Sequence, residues 1–226
     1  EDWTNFSTVL AGAGEWQPVR IPHYGPPLGK TNTFYRTTFN LESWDSTEAV
    51  FVRFRGVDYK AHVFVNGAFV GSHEGFFAPF EFDITRCVKP GENTLFVHVE
   101  NDFPTLGAVN DPGYPDLMGD KLYAATGPGY DDPNAGWHHC PPGMGIWQPV
   151  SIEVRPRLHV RDIFVRPLPD EAAAEAVIEV WNCDVAPKEL EIHFSVRGLN
   201  FEQSVASNHV LAVDAAGEGP NWYRAR

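Results

Sequence analysis

Hydrophobic and polar side chains alternate repeatedly along the first hundred residues. In residues 50–55, Val50, Val52 and Phe54 fall on one face and Phe51, Arg53 and Arg55 on the other, and this alternation predicts a strand. Similar segments recur at residues 62–65, 68–70, 80–84, 95–99 and 150–154. Asn66-Gly67 separates the first two of these, and this dipeptide favours the type I′ turn of a two-residue hairpin. The pattern predicts antiparallel strands joined by short turns.

A second set of alternating segments begins after Pro156. It comprises residues 163–165, 177–181, 190–196 and 210–213. An immunoglobulin-like sandwich needs about seven strands and about 100 residues. Three or four strands therefore predict a second unit that is incomplete.

Residues 101–149 show no periodicity and are rich in Gly, Pro, Asp and aromatic residues. Loops longer than about 15 residues are uncommon and often functional. We therefore expect a binding surface on this segment.

Composition agrees with the strand pattern. The chain has 226 residues, of which 20 are Gly and 19 Pro, and aromatic residues make up 13%. Many turn residues between short β-branched and aromatic runs are typical of an all-β sandwich or barrel.

Charge and cysteine content exclude several classes of partner. The chain carries 17 basic and 30 acidic residues, a net charge of −13, without a cationic cluster that would bind nucleic acid or an anionic membrane surface. No apolar run approaches the 18 residues of a membrane span. Three distant cysteines make no disulfide scaffold and leave the cellular location open.

Six motifs occur in a characteristic order in the first 155 residues. They are Phe34-Tyr35-Arg36-Thr37-Thr38-Phe39, Val52-Arg53-Phe54-Arg55-Gly56-Val57-Asp58, Ala61-His62-Val63-Phe64-Val65-Asn66-Gly67, Pro79-Phe80-Glu81-Phe82-Asp83-Ile84-Thr85, Pro90-Gly91-Glu92-Asn93-Thr94-Leu95 and Gly145-Ile146-Trp147-Gln148-Pro149-Val150. In this order they resemble the N-terminal sugar-binding domain of glycoside hydrolase family 2, the family of β-galactosidases, β-glucuronidases and β-mannosidases. Asp58 and Asn66 belong to these motifs, and both are interpreted as turn residues.

The resemblance implies a fold and a division of the chain. Residues 1–155 are expected to form a jelly-roll β-sandwich of the galactose-binding type. Residues 156–226 are expected to form a truncated immunoglobulin-like β-sandwich.

The resemblance also implies an activity for a larger protein. Family members hydrolyse β-glycosides with retention, using two glutamates on a (β/α)₈ barrel that follows the β-domains, and such a barrel takes about 250 residues. The chain ends at Arg226, so we expect it to be a non-catalytic fragment, inactive alone. Its expected partners are a carbohydrate substrate and the catalytic barrel of the same polypeptide. Homo-oligomers are frequent in the family, so self-association is a further expectation.

Two short segments are candidates for substrate contact. In some family members the first domain reaches the active site through positions that correspond to His23-Tyr24 and to Trp137-His138-His139. Tyr24, Trp137, His138 and His139 are therefore the predicted substrate-binding residues, because aromatic rings cover the C–H face of a sugar and neutral histidine both donates and accepts. The β-galactosidase branch has an asparagine and an aspartate at these positions, and this chain has neither. The identity of the sugar that is bound therefore stays open. The alternative is that these residues only pack the long loop.

No cofactor is predicted, and calcium is the alternative considered. Asp132-x-Asn134-x-Gly136 resembles the start of a calcium loop but lacks its final glutamate, and neighbouring acidic residues are typical of solvated turns. The other oxygen donors considered are Asp111, Asp116, Asp120 and Asp131. Zinc at His138, His139 and Cys140 is disfavoured because adjacent side chains in extended chain point to opposite faces.

Two other functions are compatible with the sequence. One is an autonomous, lectin-like carbohydrate-binding module, a role in which jelly rolls are common. The other is a structural β-sandwich without a sugar site, because a fold does not determine a function.

Overall fold

The computed structural model describes residues 6–23, 32–100, 145–171, 173–184, 186–197, 204–213 and 221–225. Over these residues the chain is built almost entirely of strands, which confirms the predicted all-β class. A short helix α1 (Phe6–Leu10) precedes the strands β1 (Asn32–Leu41), β2 (Glu48–Phe54), β3 (Lys60–Val65), β4 (Ala68–Glu74), β5 (Phe80–Asp83), β6 (Gly91–Glu100) and β7 (Val150–Pro156). The strands β8 (Leu158–Leu168), β9 (Ala173–Asn182), β10 (Lys188–Arg197), β11 (Ser204–Val213) and β12 (Asn221–Ala225) follow, with a 3₁₀ turn at Pro169–Glu171. None of the helices in these ranges is long and apolar enough to cross a membrane.

The chain divides into two compact units. The first comprises residues 1–44 and 50–154, and the second comprises residues 45–49 and 155–226. The assignment of residues 1–155 and 156–226 to a sugar-binding domain and an incomplete immunoglobulin-like domain stays a prediction.

The first unit is a β-sandwich of two sheets. Strands β1-β6-β3-β4 form one sheet, and β5-β2-β7 form the other. Apolar residues of both sheets fill the space between them, because residues two apart along a strand share a face. Val52 and Phe54 on β2 and Val63 and Val65 on β3 have no exposed surface, and Phe51 on the opposite face of β2 is fully buried as well.

The hairpin between β3 and β4 confirms the predicted turn. Asn66 and Gly67 have φ values of 51° and 81°, as a type I′ turn requires. The Asn66 amide also donates to Cys87 O and to Asn93 Oδ1, both at 2.8 Å, and Thr94 N donates to Asn66 Oδ1 at 2.9 Å. The turn residue therefore also ties the hairpin to the β5–β6 connection.

The second unit contains the strands predicted for residues 163–165, 177–181, 190–196 and 210–213, which lie in β8, β9, β10 and β11. Strands β12-β9-β8 form one sheet, and β10-β11 form a hairpin. Ile178 and Val180 on β9 are buried, with Leu190 and Ile192 of β10 packed against them. Strand β12 was not predicted from the sequence.

Candidate functional site

The four predicted substrate-binding residues, Tyr24, Trp137, His138 and His139, lie outside the described residues. The same holds for the calcium candidates Asp111, Asp116, Asp120, Asp131, Asp132 and Asn134. Their roles stay predictions. The described residues nevertheless define where the segments that carry them are attached.

Glu100 and Gly145, the described residues on either side of segment 101–144, are both hydrogen-bonded to Asp58-Tyr59, between β2 and β3. This place is called the attachment point below. Tyr59 N donates to the carbonyl of Glu100, the residue before the segment, at 3.2 Å. After the segment, Gly145 forms an antiparallel bridge with Asp58, with N···O distances of 2.9 and 3.0 Å. The two described residues that flank this segment therefore lie close to the same dipeptide.

The segment that leads to Tyr24 is attached at the same place. His23 N donates to the carbonyl of Ile146 at 2.8 Å, one residue from the Asp58–Gly145 bridge. The two segments predicted to touch substrate are 113 residues apart in sequence between Tyr24 and Trp137, yet their described flanks are hydrogen-bonded neighbours. Sequence analysis interpreted Asp58 as a turn residue, whereas the structure places it fully buried in this bridge.

His23 is positioned by Tyr35 of β1. His23 Nδ1 lies 2.9 Å from the Tyr35 hydroxyl, and the two rings meet edge to face with centroids 5.7 Å apart. Burial raises the pKa of Tyr35 to about 12, an effect that a hydrogen bond with the backbone of Ile146 partly opposes. The phenol therefore stays protonated near neutral pH, and the His23 ring has a fixed hydrogen-bond partner beside the predicted Tyr24.

An aromatic cluster adjoins this attachment point. Phe76 and Trp147 stack with ring centroids 4.8 Å apart, and Trp147 Nε1 donates to Phe76 O at 3.2 Å. Phe77 meets Trp147 edge-on at 6.2 Å and is 67% exposed. Phe77 is therefore the exposed ring of this cluster, because Phe76 is only 4% exposed and stacks on Trp147.

The aromatic cluster depends on Gly56 and was missed by sequence reasoning. A β-carbon at Gly56 would lie 2.9 Å from the Trp147 indole, so only glycine lets this ring approach β2. The available signal was Gly75-Phe76-Phe77, two consecutive aromatic residues after a glycine between two strands. Alternation gives no role to two adjacent aromatics in a turn, which is why the pattern did not single them out.

Two histidines of the first unit, one half-buried and one buried, have lowered pKa values. His73 stacks on Phe80 with centroids 4.1 Å apart, and burial lowers its pKa. Burial, with a smaller repulsion from His62, lowers the pKa of His98 to about 4. Both rings are therefore neutral near pH 7.

The fold defines the class of protein, which is a two-sheet β-sandwich followed in sequence by a second β-unit. The structure of a β-glucuronidase from Bacteroides uniformis has this fold, with a TM-score of 0.63 and 20% identity over 96% of this chain and 25% of that one. Residues 26–119 match the family model described as the glycosyl hydrolase 2 galactose-binding domain-like family. This match confirms the resemblance of this stretch to glycoside hydrolase family 2.

Relatives agree with the family match. A β-galactosidase of Thermoanaerobacter pseudethanolicus is 40% identical over 85 residues, which are 35% of this chain and 11% of that protein. A β-galactosidase of Clostridium acetobutylicum is 29% identical over 155 residues, which are 69% of this chain and 14% of that protein. The chain therefore spans a small part of the length of these relatives and resembles the N-terminal region of family 2 β-glycosidases.

Proposed function

We propose that this chain is the non-catalytic N-terminal part of a retaining family 2 β-glycosidase. Its first unit supplies a carbohydrate-facing wall beside a catalytic (β/α)₈ barrel of the same polypeptide. The observation that carries the proposal is the match of residues 26–119 to the galactose-binding-like domain of that family. The names of the relatives, β-galactosidase and β-glucuronidase, support a β-glycoside as the substrate class.

The hydrogen bonds at Asp58-Tyr59 support the proposal that both predicted contact segments belong to one carbohydrate-facing wall. The flanks of both predicted contact segments are joined there, since His23 is bonded to Ile146 and Gly145 to Asp58. A retaining glycosidase needs two carboxyl groups about 5–5.5 Å apart, an acid/base and a nucleophile. In the proposal the barrel provides both groups, and Tyr24, Trp137, His138 and His139 contact the sugar that the barrel holds. Homo-oligomerisation belongs to the same proposal as an expectation from the family.

The chain alone is expected to bind simple sugars poorly. One aromatic face and two or three hydrogen bonds, each worth about 0.5–1.5 kcal/mol, roughly balance the several kcal/mol that immobilising a ligand costs. Titration calorimetry with galactose, glucuronic acid and mannose should give dissociation constants in the millimolar range or weaker. Micromolar affinity for any of them would favour the autonomous binding module.

In the complete enzyme, Trp137→Ala is expected to raise KM or lower kcat/KM. Loss of one stacking contact of about 1 kcal/mol corresponds to roughly a fivefold change in kcat/KM. The matched control is Phe69→Ala, which removes an exposed ring on β4 and should leave the kinetics unchanged. If Trp137→Ala changed neither the kinetics nor the thermal unfolding, Trp137 would not contact the substrate. The alternative, that it only packs the loop, would then remain.

A further inference from the structure

Three side chains of metal-ligand type converge on the outer face of the four-stranded sheet. His62 on β3 pairs in register with His98 on β6, and Glu100 lies two residues further along β6 on the same face. One ligand atom from each residue lies within 4.8 Å of the other two. His62 Nε2 is 3.6 Å and His98 Nδ1 is 3.8 Å from Glu100 Oε1. Glu100 also takes part in the attachment point through its carbonyl, but this cluster does not depend on the proposed function.

The outer nitrogen of each ring is held by a neighbouring side chain. His98 Nε2 lies 2.6 Å from the amide oxygen of Asn32, and because this oxygen only accepts, Nε2 carries the proton. His62 Nδ1 lies 2.7 Å from the hydroxyl of Ser72, which can accept the proton of that nitrogen. In this arrangement both inner nitrogens carry a lone pair, and the two rings are stacked with centroids 5.4 Å apart. Metal-binding histidines are oriented by their second nitrogen in the same way.

The two distances from the histidine nitrogens to Glu100 Oε1 favour a shared metal ion over a shared proton. A hydrogen bond between an imidazole nitrogen and a carboxylate oxygen is about 2.7–2.9 Å long, shorter than either contact here. Two ligands about 2.1 Å from one tetrahedral ion stand about 3.4 Å apart. The two contacts at 3.6 and 3.8 Å are within a few tenths of an ångström of that separation. His62 Nε2 is also buried without a hydrogen-bond partner among the residues that the structure describes.

We propose that His62, His98 and Glu100 bind a divalent transition-metal ion, with Zn²⁺ as the best match. Two imidazoles and one carboxylate are a donor set that Zn²⁺ accepts, with water completing the tetrahedron. The ion would join β3 to Glu100, the last residue of β6. Its role is therefore to cross-link these two strands at that end of the sheet.

Isothermal titration of the metal-free chain with Zn²⁺, and Co²⁺ absorption as a probe of tetrahedral ligation, test the proposal. The wild-type chain should bind one Zn²⁺ at a site that His62→Asn or Glu100→Gln weakens at least about 100-fold. Ser72→Ala, which removes only the support of His62, should weaken it about tenfold. His98 is left unchanged because its side chain is only 2% exposed and its replacement would disturb folding.

The matched control is His193→Asn. His193 Nε2 lies 3.7 Å from Glu191 Oε1, a similar separation, but both side chains are more than half exposed and belong to no three-ligand group among the described residues. This variant should bind Zn²⁺ as the wild type does. Equal Zn²⁺ affinity in wild type, His62→Asn and Glu100→Gln would overturn the proposal, as would a wild-type chain that binds no Zn²⁺. Circular dichroism of each metal-free variant establishes that a lost signal reflects the site and not the fold.

Discussion

Phe54→Ala is expected to lower the free energy of unfolding of the first unit by about 3–5 kcal/mol. Phe54 lies on β2 with no exposed surface, and its ring stacks on Phe80 of β5 with centroids 4.8 Å apart and planes 8° from parallel. Alanine would remove this aromatic contact and leave a cavity between the two sheets. Urea unfolding followed by circular dichroism and tryptophan fluorescence measures the loss.

The control for this prediction is Phe69→Ala on β4. Phe69 is 59% exposed and contacts Phe64 on the outer face of its sheet, so its removal should cost no more than about 1 kcal/mol. If both variants lost the same free energy of unfolding, the core between the sheets would not be the main source of stability of this unit.

Arg161→Met is expected to destabilise the second unit by about 3 kcal/mol. Arg161 Nη1 lies 2.7 Å from Glu179 Oε1, and the Glu179 side chain is only 6% exposed. The guanidinium also lies over the Trp181 ring, 4.4 Å from its centroid, and Trp181 Nε1 donates to the same carboxylate oxygen at 2.6 Å. Methionine retains the apolar stem but leaves a buried carboxylate without its cation, a change that typically costs about 3–5 kcal/mol, and the partial exposure of Arg161 favours the lower end.

Arg166→Met on the same strand is the matched control. Arg166 Nη2 lies 3.0 Å from Glu175 Oε2, but the arginine side chain is 56% exposed, so water replaces the lost ion pair. We expect a change below about 1 kcal/mol. Tryptophan fluorescence during urea unfolding measures the free energy of unfolding of both variants. If both variants lost similarly small amounts of it, the burial of Glu179 would not have the importance assigned to it.

The proposed wall and the proposed metal site meet at one region of the first unit. Glu100 contributes its side chain to the His62–His98 cluster and its carbonyl to Tyr59, beside the Asp58–Gly145 bridge. A bound ion there would hold Glu100, and the bridge to Asp58 holds Gly145, the two described residues that flank segment 101–144.

Sequence reasoning succeeded where a local rule decides the structure. The core-facing residues of β2 and β3 follow from alternation, because a strand presents successive side chains to opposite sides. The burial of Phe51, Phe96 and His98 on the opposite faces does not follow from it. Asn66-Gly67 predicted its own turn, because these two residues tolerate positive φ. The order of the six motifs was enough to recognise the family that residues 26–119 match.

What only the tertiary structure decided are the contacts between residues distant in sequence. Periodicity shows that His62 and His98 share a face, but their meeting depends on the pairing of β3 with β6 and on its register. The stacking of Trp147 on Phe76 and the burial of Asp58 against Gly145 depend likewise on where the chain returns after segment 101–144. The sequence by itself therefore determined the strands that alternation predicts, the Asn66-Gly67 turn and the resemblance to the family. The assembly of Asp58, Gly145 and His23 at one place required the fold, because strand pairing and register arise from packing over the whole unit and not from any local pattern.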